Sequence, residues 1–169
     1  MTDDLRSETI LLRRLTLDDA VHFERLLGHD SASVQMMATM PDPCTEEAAR
    51  GWIEMRTNGG SHLFAITRLS DGEFLGGIGF GGAPEAFVLG YWLGRPYWGC
   101  GYVTEAVQMI VGYARSLGGE KLHAETWPTN PASARVLEKA GFRNLGTSVV
   151  DIPQRGGLRE SCQYELVLR

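Results

Sequence analysis

The apolar pattern changes period near Gly99, and this change restricts the fold more than any other feature of the chain. Before it come three runs rich in apolar, aromatic and β-branched residues: His62 to Leu69, Phe74 to Phe80, and Phe87 to Leu93. Ser70-Asp71-Gly72-Glu73 and Gly81-Gly82-Ala83-Pro84 separate them, and clusters of that composition form tight turns. Three strands joined in this way make an antiparallel meander. After Gly99, the residues Val103, Ala106, Val107, Ile110, Val111, Ala114 and Leu117 recur at helical spacing, and Gly118-Gly119 ends the run.

Helix and strand then alternate. Leu122 to Trp127 reads as a strand and Pro131 to Ala140 as a helix, with proline in its first turn and Gly141 at its end. Phe142 to Ile152 and Tyr164 to Leu168 read as strands joined through the loop Gln154-Arg155-Gly156-Gly157. Upstream, Thr9 to Leu15 is a strand. Thr16 and Asp19 form a near relative of the capping box before a helix that stops at Gly28. Met40 to Pro43 is a proline-broken loop, and Thr45 caps a helix from Glu46 to about Arg56. The order is β-α-α-β-β-β-α-β-α-β-β, which predicts a sheet with some parallel character and helices on both faces. At 169 residues, the chain suits one domain, 1–169, with a core that needs no staples.

Charge and cysteine usage narrow the function. A net charge of −5 argues against a nucleic-acid partner and suits either a cationic substrate or an ordinary soluble surface. Cys44, Cys100 and Cys162 are widely spaced with no C-x-x-C, so neither a disulfide framework nor a metal site is expected. The acidic start MTDDLRSETI has no apolar leader region, and no apolar run approaches the ~18 residues of a membrane span. No membrane partner and a cytoplasmic location are expected.

The loop Gly99-Cys100-Gly101 lies between a strand and the start of a long helix. First-turn amides of a helix lack internal partners and carry the positive end of the dipole, so such a loop suits a phosphate or pyrophosphate. Glycines required only for packing are the bland alternative. No Lys follows in the manner of a P-loop, and Thr104 stands where a dinucleotide fingerprint needs its third glycine.

Trp98-Gly99-Cys100-Gly101-Tyr102-Val103, within GYWLGRPYWGCGYVTEAV from Gly90 to Val107, resembles the cofactor loop of the GNAT acyl-CoA N-acyltransferases. The resemblance is to their RimJ/RimL-like branch, where Trp often leads the motif. Asn130 to Phe142, NPASARVLEKAGF, resembles that branch's second motif, and ETILLRRLTLDDA its opening. The likeness covers nearly the whole chain. It implies an α/β (α+β) fold: a mixed, mostly antiparallel sheet splayed at a cofactor cleft, with helices on both faces. It implies acetyl-CoA as co-substrate, a primary amine as acceptor, and a homodimer as one assembly state. The acceptor is either a protein N-terminus or a small amine-bearing molecule. Gly99, Cys100, Gly101, Tyr102, Val103 and Thr104 are implied to hold the CoA pyrophosphate through backbone amides. Tyr91, Trp92 and Leu93 are implied to pair with the pantetheine arm, and Asn130 to bond it from the other side.

Acyl transfer needs a proton acceptor for the amine and a donor for the oxyanion, for which the Leu93 amide is the candidate. The lack of an obvious nucleophile–base pair favours direct attack. Leu137 stands where many of these enzymes place a tyrosine, and Ser133 resembles the hydroxyl that the RimL-like branch uses at the leaving thiolate. Its bland role is to bond the backbone of the first helical turn. Val88 stands where relatives often carry a glutamate. Glu125 is the first choice of base, ahead of His123, Glu85 and His62. Cys100 is a weak nucleophile candidate because no base adjoins it. Trp127 and Tyr97 flank the expected cleft, and the segments 36–43 and 153–157 are where acceptor choice is expected to lie. A non-catalytic acyl-CoA-binding module and a nucleotide binder are the competing readings.

Overall fold

A computed structural model describes residues 4–169; Met1 to Asp3, at the acidic start, lie outside the described residues. One eight-stranded sheet organises the chain, with spatial order β1-β2-β3-β4-β5-β6-β8-β7. The strands are β1 Leu5–Arg6, β2 Ile10–Arg14, β3 His62–Arg68, β4 Phe74–Gly81, β5 Phe87–Leu93, β6 Lys121–Thr126, β7 Arg143–Ile152 and β8 Gly157–Val167. The helices are α1 Ala20–Leu27, α2 Ser31–Val34, α3 Glu46–Asn58, α4 Tyr102–Ser116 and α5 Pro131–Lys139.

The strands β3-β4-β5 form the antiparallel meander that the turn chemistry predicts, and β2 adds to it antiparallel to β3. The parallel character reduces to one pair, β5–β6, because α4 carries the chain back across the sheet. Helix α5 does not repeat that crossover beside β6; β8 inserts between β6 and β7 and restores antiparallel pairing.

Each face of the sheet has its own core. Ala106, Val107 and Ile110 of α4 and Leu137 of α5 pack on Phe64, Ile78, Leu89 and Leu122. On the other face Phe23 of α1 and Ile53 of α3 pack on Ala65, Phe74 and Trp92. Strand alternation sends Leu89 to the first face and Trp92 to the second. The first helix opens through a 3-10 turn, Leu17–Asp19. Asp19 accepts from the Thr16 amide at 2.9 Å and from both Nη atoms of Arg13 at 2.9 and 2.8 Å. Burial raises the Asp19 pKa, but these bonds outweigh it and hold the carboxyl below its usual range.

Three elements correct the sequence reading, and the first is the edge strand β1, Leu5–Arg6, too brief to show an alternation. The last strand begins at Gly157, not Tyr164. Its first half, Gly157 to Ser161, pairs only with β7 and carries Arg159 and Glu160, so no apolar rhythm marks it. Helix α2 is one short turn, capped by Asp30 accepting from the Ser33 amide at 3.2 Å, with too few residues to show a period.

Candidate active site

Strands β5 and β6 pair only at Phe87–Leu122 and Val88–His123, then part. Gly94 N–H donates to the Leu75 carbonyl at 2.8 Å, which sets the alternation of the β4–β5 ladder. Residues 88, 90 and 92 therefore turn their peptide groups toward β4. Tyr91 and Leu93 turn theirs into the gap. One of those groups is taken: the Trp98 indole N–H donates to the Leu93 carbonyl at 2.8 Å. Arg95 stacks on Trp98 at 4.4 Å and forms a two-pronged pair with Asp30 at 2.9 and 2.8 Å. The Arg95 hydrogen bonds hold the Asp30 carboxyl down to about 2. This chain anchors the turn Arg95–Tyr97 that pulls the chain away from β6.

Trp92 behaves differently from the expectation for a pantetheine contact. Its peptide faces β4, and its indole sits in the second core, edge-on to Phe23 at 4.9 Å. A Cβ on Gly77 would come within 2.8 Å of its Nε1, so glycine at 77 makes room for the ring.

The gap opens into a cleft of about 980 Å³. Gly99, Gly101, Tyr102, Val103 and Thr104 line it; Cys100 does not, its exposed thiol lying 3.7 Å from the Trp98 carbonyl. Gly99 and Gly101 take φ of +78° and +82°, the left-handed region that suits glycine. Gly101 sits at the N-cap of α4 without any side-chain cap, and the first bond of the helix runs from the Glu105 amide back to Gly101. The amides of Tyr102, Val103 and Thr104 thus precede the first internal bond and face a glycine-cleared surface, an arrangement that fits an anion.

Across the gap, Asn130 caps α5, its Oδ1 accepting from the Ser133 amide at 3.3 Å, which leaves its amide nitrogen as the free donor. Ser133 Oγ lies 2.7 Å from the Tyr91 hydroxyl, which also donates to the Ser133 carbonyl at 3.2 Å. Burial pushes the Tyr91 phenol up to about 12. Leu137 is fully buried in the core.

Glu125 is the one carboxylate on the cleft wall among the described residues. Ser161 Oγ donates to it at 3.3 Å, and His123 Nε2 lies 3.9 Å away, itself paired with Gln163 Oε1 at 2.6 Å. Neither Glu85 nor His62 lines the cleft; the His62 ring stacks on Phe80 at 4.8 Å. Trp127 does, whereas Tyr97 turns away and donates to Glu73 at 3.0 Å. Among the described residues, the buried side-chain polar atoms without a partner are Arg68 Nε, Trp92 Nε1, Thr126 Oγ1 and Trp127 Nε1. The last three belong to residues that line the cleft.

The two segments expected to govern acceptor choice are joined by one side chain. Arg155, buried at the tip of the β7–β8 hairpin, donates to the carbonyls of Val34, Met37 and Met40 at 3.1, 2.9 and 2.6 Å. Residues 36–40 roof the cleft beside Trp52 and Arg56 of α3, both of which donate to Thr39. Nothing in the local sequence marks Arg155 as a strut, because its partners are backbone atoms more than a hundred residues away.

An open peptide edge facing an uncapped, glycine-cleared helix start is an arrangement that fits an extended, phosphate-bearing ligand. The acetyltransferase (GNAT) domain family matches residues 9–143, and the chain belongs to that family. It is 31% identical over 166 residues to a probable N-acetyltransferase, YjcK, of Bacillus subtilis (strain 168), covering 90% of each chain. The fold is shared with RimL, a ribosomal L7/L12 alpha-N-protein acetyltransferase in complex with coenzyme A, at a TM-score of 0.83 and 20% identity over 98% of each chain. The microcin C7 self-immunity acetyltransferase MccE, in complex with acetyl-CoA and AMP, matches at 0.81 and 20% over 95% of this chain and 93% of its own.

Proposed function

We propose that this chain is a single-domain, acetyl-CoA-dependent N-acetyltransferase of the RimJ/RimL-like branch, acting on a protein N-terminus or a small amine. The observation that carries the reading is the peptide edge of Tyr91 and Leu93, unpaired by any strand and bonded only at the Leu93 carbonyl by Trp98, facing the uncapped start of α4. The pantetheine arm takes the edge as an added strand, with the Asn130 amide nitrogen on its other side. Residues Gly99 to Thr104 hold the pyrophosphate, with Cys100 contributing backbone only.

In the reaction, the amine nitrogen attacks the thioester carbonyl carbon, the C–S bond breaks, and an acetamide and CoA form. The Leu93 amide is placed for the oxyanion. Glu125 attracts the ammonium and takes the proton that the nitrogen loses. Tyr91, which donates to the Ser133 carbonyl, holds Ser133 Oγ at 2.7 Å, and the Ser133 hydroxyl turns to donate a hydrogen bond to the departing thiolate. No step requires a metal.

The expected compartment is the cytoplasm, where acetyl-CoA is available. No helix among the described residues is long and apolar enough to cross a membrane. The acidic balance disfavours nucleic acid as a partner, and a homodimer is the assembly to look for.

Thiol release from acetyl-CoA in the presence of N-terminal peptides, polyamines and aminoglycosides tests the reading, with release that depends on the amine as the expected result. Leu137 buried in the core and Val88 exposed at 53% leave two common catalytic positions without a functional group, and this favours a second reading as a non-catalytic acyl-CoA-binding module. Saturable CoA binding with no transfer to any amine would establish that module.

A further inference from the structure

Arg56, near the end of α3, is a half-buried cation on the cleft wall with no carboxylate in ion-pair reach among the described residues. Its helix neighbour Arg50 pairs with Glu46 at 3.6 Å, as an exposed arginine ordinarily does. Arg56 is held by other means. Its guanidinium stacks over Trp52 at 4.8 Å, and Nη2 donates to Thr39 Oγ1 at 2.5 Å. The same Thr39 oxygen accepts from the Trp52 indole N–H at 3.2 Å. All three side chains line the cleft. Burial, with nothing to oppose it, pulls the Arg56 pKa below its ordinary value.

A guanidinium has five donors, and Thr39 takes one nitrogen. Holding a cation partly out of water without a counter-charge is unfavourable, and an arriving anion relieves it. The planar fork, already fixed by stacking and by Thr39, suits a carboxylate or phosphate, since little further ordering is needed. Glu125 is the cleft's carboxylate, carried on β6 rather than on the helix that carries Arg56. The other cations of the wall, Arg135 and Lys139, lie on α5, beside the residues assigned to acetyl-CoA. Apart from Ser33 and Thr39, the α2–α3 side is mostly apolar: Met36, Met37, Met40 and Trp52.

We propose that the acceptor is an amine that also bears an anionic group, a carboxylate or a phosphate ester, with Arg56 reading that group while Glu125 takes the ammonium end. This rests on the N-acetyltransferase reading and names its substrate class.

The test uses matched acceptors that differ only in the anion: an α-amino acid against its amide, O-phosphoethanolamine against ethanolamine, and peptides with Asp or Asn at the second position. The wild-type chain is expected to favour the anionic member of at least one pair by about 10- to 100-fold in kcat/KM, chiefly through KM. The pair that shows it separates carboxylate from phosphate. In Arg56→Met the ratio collapses toward one. In Arg56→Lys, which keeps the charge without the fork, it is intermediate. Acetyl-CoA affinity, titrated separately, distinguishes a damaged fold from a lost contact. Equal use of neutral and anionic amines, or a preference that survives in Arg56→Met with acetyl-CoA affinity intact, overturns the proposal and leaves the acetyltransferase reading standing. No turnover of any amine while acetyl-CoA binds overturns both.

Discussion

The Tyr91 hydroxyl lies 2.7 Å from Ser133 Oγ and so bridges β5 to α5 across the cleft. One residue comes from the meander and the other from the crossover half of the chain. The pair ties together the two walls between which a thioester would lie. Ser133→Ala is expected to lower kcat by roughly 10- to 100-fold, the low end of acid catalysis, because a thiolate is already a fair leaving group. Tyr91→Phe should lower it less, and the double variant little more than Ser133→Ala alone. Steady-state kinetics at saturating acetyl-CoA measure all three. Additive effects would separate the two hydroxyls into independent roles.

The same pair predicts an alkaline stability limit. The folded Tyr91 pKa is raised to about 12, above the ordinary tyrosine value of about 10. The fold favours the neutral phenol, so its contribution is complete below pH ~10 and is lost as pH rises toward ~12. Chemical denaturation between pH 9 and 12 should show a steeper loss in wild type than in Tyr91→Phe.

Glu125→Gln should reduce kcat/KM by about 100-fold, because the amide accepts no proton. An unchanged kcat/KM would transfer the base role to His123 or to solvent.

Gly101 holds φ +82° with nothing within 4 Å of a built Cβ, so its constraint is conformational rather than steric. Gly101→Ala should weaken CoA by about 10-fold, matching ~1–2 kcal/mol for a left-handed alanine. Calorimetric titration reads it. A variant that lost stability while keeping CoA affinity would show that the glycine serves packing alone.

Arg155→Met nearly keeps the side-chain volume and orphans the Met37 and Met40 carbonyls of the roof, while the Val34 carbonyl keeps the Met37 amide. About 2–4 kcal/mol of stability should be lost in denaturant unfolding. The KM for the amine should rise more than that for acetyl-CoA, since the roof borders the α3 side of the cleft.

Asp30 joins the splayed turn to the α1–α2 region, and its folded pKa of about 2 lies below the unfolded value of about 3.9. Its contribution is present above pH ~4 and fades as pH falls toward ~2. Asp30→Asn should flatten the acid limb of the stability curve over that interval, measured by denaturant melts at fixed ionic strength.

Much of this architecture is legible one element at a time. The strand Phe87–Leu93 emerges with the bounds its composition predicts, because a β-rich run flanked by proline and glycine turns has no competing period. Helix α4 likewise starts at Tyr102, directly after the glycine that caps it. The strand β8 was half hidden, since its first residues are ordered by backbone bonds to β7 and carry no burial pattern.

The site divides along the same line. Features that depend on local geometry can be read from the chain: left-handed glycines, a helix start without a capping side chain, and an asparagine that caps the next helix. Which peptide groups face the gap depends on ladder alternation, so Tyr91 and Leu93 qualify and the adjacent Trp92 does not. The remaining relationships join distant segments. Arg155 reaches carbonyls around residue 37, Arg56 donates to Thr39, and Tyr91 meets Ser133. By itself, the sequence determined the order of the longer elements, the family, and the loop that suits the donor's phosphates, while the short β1 and α2 left no pattern. Only the tertiary structure decided which side chains share the cleft, because hydrogen bonds between residues far apart in the chain leave no periodic mark on it.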